Sequence, residues 1–256
     1  MKLRQTTPRD GLRWMLAGVS RLRAAPMALT GLFAAAMFTL SLLLGLPGLG
    51  GLLVAALMPA LTAGWHEVGR AMQSGEMPRL TQLLAPLRSP ARPTLIGLGL
   101  LHAFGAWLLL ALGDLLDPGM AEAWEAFHDS EAASDAMLTA VTTLQQGMVL
   151  RAALLIPLVL LFWHAPVVAT RTQAGLAKSL FVSATATLRH LGAMVVYGLC
   201  WIGADLLLSA VLGALVALLG LGPAGMVLVM PAALMFSAAF YASLQASIDG
   251  CIDFED

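Results

Sequence analysis

Two charged residues, Arg151 and Asp205, lie inside apolar stretches that are each long enough to cross a membrane. A charge within a membrane helix costs roughly 2.5–3.5 kcal/mol on insertion scales, so each residue needs a partner or a function. At about 1.5 Å of rise per residue the two lie at similar depths, which predicts an ion pair between two helices. The alternatives are a proton or cation site at Asp205, and an Arg151 side chain that extends alone to the membrane surface.

Two histidines, His102 and His164, also lie at similar depths within apolar stretches. Two imidazoles at one level could share a metal ion or a proton. No carboxylate or thiolate joins them in the sequence, so hydrogen bonding inside a helical bundle is the favoured interpretation. In a later acidic segment, His128, Glu131 and Asp135 would share one face of a helix. Acidic surface helices without ligands are commoner than metal sites, so no metal site is predicted there.

The chain contains no motif of an enzyme. A Gly-x-Ser-x-Gly elbow, a His-Glu-x-x-His pair, a phosphate-binding loop and a dinucleotide fingerprint are all absent. We therefore expect no catalytic residue, no cofactor and no metal. Two cysteines, Cys200 and Cys251, are too few for a disulfide framework.

Composition identifies the class of protein that must hold these residues. Apolar residues make up 59% of the 256 residues and charged residues 11%, and the mean hydropathy is +0.83. Soluble domains are usually about 25% charged, which excludes a soluble enzyme and a nucleic-acid-binding protein. Six stretches are predicted to span a membrane: Met27–Leu46, Leu49–Trp65, Thr94–Leu116, Gly147–Thr170, Leu191–Leu219 and Ala224–Ser247.

The distribution of charge predicts the orientation. Of the 14 basic residues, all but Arg151 fall before the first span, between spans two and three, or between spans four and five. The segment 117–146, which joins spans three and four, carries six acidic residues and no lysine or arginine. Because basic residues stay on the cytoplasmic side, both termini should be cytoplasmic and the acidic loop should face outward.

A short amphipathic segment precedes each odd-numbered span. Leucine and other apolar residues follow helical spacing in all three, which is typical of helices that lie in the membrane interface. Each segment leads into a hairpin whose second span carries a proline: Pro59, Pro157 or Pro231. The residues expected to contact lipid headgroups are Arg9, Arg13, Trp14, Arg21, Arg79, Arg88, Lys178 and Arg189.

The sequence thus predicts an all-α polytopic membrane bundle of six transmembrane helices and three cytoplasmic interfacial helices. The recurring hairpins predict a parallel threefold repeat, although prolines are common enough in membrane helices to give the pattern without duplication. The expected organisation is one membrane domain, 1–256, divided into a basic N-terminal segment (1–26), hairpins (27–65, 94–170, 191–247), cytoplasmic loops (66–93, 171–190), an acidic outer loop (117–146) and an acidic tail (248–256).

Three short motifs lie outside the predicted spans or near their ends: a Gly-x-x-Trp segment at Gly11–Trp14, a turn at Gly75-Glu76-Met77-Pro78 and an aromatic-x-Ala-Pro motif at 163–166. They resemble the motifs of a family of uncharacterised proteobacterial multi-pass inner-membrane proteins. The family's C-terminal Tyr-x-Ser-Tyr-Arg-Asp stretch is replaced after Ser243 by Leu244-Gln245, so its basic contact is not expected here. The resemblance implies the bacterial inner membrane and no established activity.

The favoured function is non-enzymatic: organising lipid or partner proteins at the cytoplasmic face. The expected partners are the lipid bilayer and a membrane protein or a second copy of the chain, with no nucleic acid. The alternative function is a small-solute or proton-coupled transporter that uses Asp205 and Arg151.

Overall fold

The computed structural model describes residues 1–128 and 134–254, which are almost entirely helical. The helices α1 to α11 and the strands β1 and β2 are joined by short turns, of which 85–88 and 222–225 are 3-10 helices. Their bounds are β1 Lys2–Leu3, α1 Pro8–Ala24, α2 Pro26–Leu44, α3 Gly50–Gln73, α4 Leu80–Leu84, α5 Arg92–Leu116, α6 Gly119–His128, α7 Ser134–Phe162, α8 Ala165–Thr172, α9 Leu176–Arg189, α10 Leu191–Leu218, α11 Met226–Cys251 and β2 Ile252–Asp253.

Six helical segments of the described residues are long and apolar enough to cross a membrane, which confirms the predicted fold class. They are α2, α3, α5, α7 continued by α8, α10, and α11. The second span was predicted to end at Trp65, but α3 continues for two more turns, to Gln73. It continues because His66 and Gly69 are buried against α11 and do not reach water.

Both termini lie at one end of the bundle, which we call the basic end. Strands β1 and β2 pair antiparallel, with Lys2 opposite Asp253 and Leu3 opposite Ile252. A ring nitrogen of His190, at the start of α10, donates to the carbonyl oxygen of Arg4 at 2.7 Å. The opposite end carries the turn after α2, helix α6 and the turn after α10, and we call it the acidic end.

Helix α1 is packed against α10 and α11. Gly11 and Gly18 touch the backbones of α10 and α11 so closely that a Cβ on either would overlap a carbonyl oxygen, of Ala193 or Ala239 respectively. Trp14, on the same face, is only 6% exposed and packs edge-on against Tyr197. Small residues at this spacing let helix backbones meet, which is the usual basis of close packing between membrane helices. The prediction that Trp14 contacts lipid headgroups is therefore wrong.

The three short helices share one packing relation. Helix α1 packs on α10 and α11, the hairpin that closes the chain. Helix α4 packs on α3 and shares a cleft with α2, and α9 packs on α7, α8 and α5. The three hairpins are arranged in a ring. Helices α4 and α9 each lie against the hairpin that comes before them in the chain, and α1 lies against the third hairpin, which is the one before it around the ring. The predicted parallel threefold repeat stays a prediction.

The ring is open at one place. Helices α3 and α5 pack together, as do α11 and α2, but α7 and α10 make little contact among the described residues. Accordingly, only 6% of the most apolar stretch of α10 is buried, against 28% or more in every other span. The outer half of α10, beyond Trp201, therefore projects beside the bundle.

Candidate functional site

A network of polar side chains, with His66 and Gln245 buried at its centre, joins α1, α3 and α11 near the basic end. The Nε2 atom of His66 donates to Oδ1 of Asp249 at 2.7 Å, and the Gln245 amide donates to the other carboxylate oxygen at 2.5 Å. The same amide group donates to Oε1 of Gln73 at 3.1 Å. Arg21 completes the network by donating to the Gln245 side chain and, at 2.6 Å, to the carbonyl oxygen of Ala242 on α11. We call these residues the polar network.

Arg21 holds α1 to the bundle through this network. Burial lowers the pKa of its guanidinium, and the nearby Asp249 carboxylate opposes that shift. Arginine keeps its charge in proteins, so Arg21 acts as a fixed cation facing the Asp249 carboxylate. The prediction that Arg21 contacts lipid headgroups is wrong, because Gly18 brings this face of α1 onto α11 and not toward lipid.

A polar cavity of about 370 Å³ opens next to the network at the basic end. Its three arginines come from distant parts of the chain: Arg4 before α1, Arg70 on α3 and Arg171 on α8. Arg4 forms an ion pair with Asp253 at 2.8 Å, and Arg70 contacts Glu67 at 3.4 Å. The Arg171 guanidinium lies 5.5 Å from the centre of the Phe254 ring. Two acidic residues, Asp249 and Asp253, line the cavity together with the three arginines.

Six of the eight predicted headgroup residues are exposed at the basic end. Arg13 is 75% exposed along its side chain and pairs with Asp10 at 2.8 Å. The other five lie on or next to α1, α4 and α9, the three short helices: Arg9, Arg79, Arg88, Lys178 and Arg189. A belt of exposed cations on the three short helices therefore lies at the basic end.

The predicted ion pair between Arg151 and Asp205 does not form. Arg151 bonds instead to Asp114 at 2.6 Å and to Asp117 at 3.2 Å, both near the acidic end of α5. Gly113 leaves room for the arginine side chain where α5 and α7 meet. Asp205 is exposed on α10 and has no ion pair or hydrogen bond to any residue the structure describes. Similar depth gave no contact because α7 and α10 are not packed neighbours.

These placements predict opposite effects of two substitutions within spans. We expect Arg151→Leu to lower the free energy of unfolding by about 1–3 kcal/mol, since charge-assisted hydrogen bonds to two carboxylates are lost. Asp205→Leu should leave it unchanged or raise it, because an exposed carboxylate is removed from an apolar helix. Thermal unfolding of the detergent-purified protein measures both changes. Equal losses for the two variants, with no further loss in the double variant, would instead support the predicted ion pair between Arg151 and Asp205.

The two intramembrane histidines have separate structural roles. Pro59 has no N–H, so the carbonyl oxygen of Ala55, one turn earlier on α3, lacks its helical donor. His102 of α5 supplies the missing donor, and its Nδ1 atom lies 2.8 Å from the Ala55 oxygen. His164 is fully buried at the start of α8, where its Nδ1 atom lies 3.2 Å from the Thr187 hydroxyl.

The structure brings together no metal-binding set among the residues it describes. No group of three histidine, cysteine, aspartate or glutamate side chains within that part of the chain is placed to hold an ion. His128 bonds to the carbonyl oxygen of Trp124 on its own helix at 2.9 Å. Glu131 and the side chain of Asp135 lie outside the described residues.

The sequence analysis missed the polar network. His66 falls in the predicted cytoplasmic loop 66–93, and Asp249 in the predicted acidic tail 248–256. A signal was present in Gln245 and Asp249, which are four residues apart and therefore share one face of the last helix. A polar pair at this spacing, next to an apolar span, indicates a contact with another polar helix face.

The fold and the site define a multi-pass membrane protein with a polar cavity at one end. Along its whole length the chain is similar to a probable inner membrane protein of Burkholderia thailandensis. The two are 27% identical over 260 residues, which cover 100% of this chain and 96% of the relative. No protein-family model and no solved structure matches the chain. The resemblance to uncharacterised inner-membrane proteins is confirmed at this level.

Proposed function

We propose that the protein resides in the bacterial inner membrane with its basic end in the cytoplasm, where it gathers anionic lipid in a non-enzymatic role. The observation that carries this proposal is the belt of exposed cations on the three short helices, at the end that holds both termini. Basic residues close to an anionic leaflet contribute about 1 kcal/mol each. A belt spread around the bundle favours several lipid headgroups over one ligand.

The short helices are suited to this role because they are fixed. Each lies against a hairpin and presents its cations outward, so little conformational entropy is lost when headgroups bind. Helix α9 also exposes Phe181 and Leu188, at 71% and 72%, while the side chains of Ser179, Ser183 and Thr187 face the protein. Apolar side chains next to Lys178 and Arg189 suit the boundary between acyl chains and headgroups.

Transport receives less support from the geometry. The proposed transporter relied on Arg151 and Asp205 acting together, and these residues contact different parts of the protein. The exposed cations could also bind an acidic partner protein at the basic end. The experiments below test binding of anionic lipid.

The orientation is tested with fusions. Green fluorescent protein fused after Asp256 is expected to fluoresce, because it folds in the cytoplasm. Alkaline phosphatase inserted in the turn after α2, at Gly48, should be active, because it requires the periplasm. The reverse pair of results would contradict the proposed orientation.

Lipid binding is tested in nanodiscs with and without phosphatidylglycerol. The wild-type protein should unfold at a higher temperature when the anionic lipid is present. The variant in which Arg79, Arg88, Lys178 and Arg189 are all changed to glutamine should lose most of this increase, since up to about 1 kcal/mol per cation is removed. A matched variant at the acidic end, Glu122→Gln with Glu125→Gln, should keep it. An increase of the same size in all three proteins would disprove the proposal.

A further inference from the structure

A second cavity lies inside the membrane-spanning part of the bundle. It has a volume of about 240 Å³ and is bounded by α3, α5, α7 and α11 beside Pro59. Aromatic side chains form much of its wall: Phe162, Trp163, Phe240 and Tyr241. An apolar cavity of about 150 Å³ is enough to bind benzene, so this one has room for a substituted six-membered ring.

One lining residue of the cavity, His102, carries a hydrogen-bond acceptor of defined type. The carbonyl oxygen of Ala55 can only accept, so Nδ1 of His102 must carry the proton of the neutral imidazole. The other ring nitrogen, Nε2, is then an acceptor, and it has no hydrogen bond to any described residue. The His102 ring is held in place by an edge-on contact with Phe162, with centroids 5.0 Å apart. A ligand that satisfies Nε2 must therefore donate a hydrogen bond.

Two further features restrict the ligand. Tyr241 also lines the cavity, and its hydroxyl makes no hydrogen bond within the part of the chain that the structure describes. Val159, another lining residue, is 44% exposed on the surface of the bundle, so the cavity reaches the lipid there. A long apolar tail on the ligand can leave by this opening.

We propose that this cavity binds the ring of a membrane-soluble quinol, with a ring hydroxyl donating to Nε2 of His102. The flat ring lies among the aromatic side chains, and the tail passes Val159 into the bilayer. The second hydroxyl lies toward Tyr241. The corresponding quinone fits less well, because its carbonyl oxygens face the lone pair of Nε2.

The proposal is tested by quenching of tryptophan fluorescence in nanodiscs. The probes are a decyl-tailed benzoquinol kept reduced without oxygen, the matching quinone, and the quinol with both hydroxyls methylated. We expect saturable quenching by the quinol, with at least about tenfold weaker binding of the other two. Trp163→Phe should remove most of the signal. Equal half-saturation concentrations for all three probes, or quenching that does not saturate with any of them, would show partition into lipid alone and would overturn the proposal.

Two variants locate the binding. His102→Leu removes the acceptor and should abolish the preference for the quinol, whereas His128→Gln, at an exposed histidine of the acidic end, should keep it. Because His102→Leu also leaves the Ala55 carbonyl without a donor, Val159→Phe is a second variant that narrows the opening and preserves that bond. It should weaken quinol binding by at least about tenfold. Unchanged quinol affinity in Val159→Phe would contradict the proposed site.

Discussion

Replacing Arg21 with leucine is expected to lower the free energy of unfolding by about 1.5–3 kcal/mol, the usual contribution of hydrogen bonds made by a charged group. The substitution leaves the Ala242 carbonyl and the Gln245 side chain without their donor and removes a positive charge near the Asp249 carboxylate. Thermal unfolding in detergent, followed by size-exclusion chromatography, measures the loss.

Arg23 provides the control for this prediction. It lies on the same helix two residues further on and is exposed, so Arg23→Leu should change stability by no more than about 0.5 kcal/mol. Arg21→Lys should give an intermediate loss, because lysine keeps the charge but cannot donate to both acceptors from one planar group. If the two leucine variants are equally stable, Arg21 does not fasten α1 to α11.

Adding a single methyl group at Gly18 is expected to have the second large effect. The Cβ of Gly18→Ala would overlap the carbonyl oxygen of Ala239 and the Cβ of Ser243, so α1 and α11 must move apart. Overpacking of this kind typically costs about 1–3 kcal/mol. The matched variant is Gly31→Ala on α2, where no atom lies within 4 Å of the added methyl.

The two glycine variants should differ in sign. Gly31→Ala should stabilise the protein by roughly 0.5–1 kcal/mol, because alanine loses less backbone entropy in a helix than glycine does. Gly18→Ala should destabilise it despite the same gain in helix propensity. A stabilising Gly18→Ala would show that α1 is not in close contact with α11.

The spans could be predicted from the sequence because crossing a membrane depends on each segment separately. About 20 apolar residues satisfy this requirement whatever the neighbouring helices are. The predicted end of the second span, at Trp65, was wrong because the prediction considered that segment alone. His66 and Gly69 look unsuited to lipid, and only contact with α11 explains why the helix continues past them.

Contacts between helices could not be predicted in the same way. The position of a residue along its span gives only its depth in the membrane and does not show which helix lies next to it. Arg151 and Asp205 agree in depth, but their helices, α7 and α10, make little contact. Amphipathic spacing is equally ambiguous, since an apolar face can meet lipid or protein. In α1 the decisive signal was Gly11 and Gly18, seven residues apart on one face, a spacing typical of helix contacts.

The position of α1 has a consequence for biogenesis. The ribosome makes α1 before its partners α10 and α11, which begin at Leu191 and Met226. At 5–20 residues per second, α1 waits on the order of 10–30 s before the first partner emerges. Meanwhile the nascent helix must shelter its apolar side at the bilayer surface, and its amphipathic sequence permits this. We therefore expect the amphipathic pattern of α1 to hold it at the bilayer surface during translation, until the completed hairpin covers its apolar side.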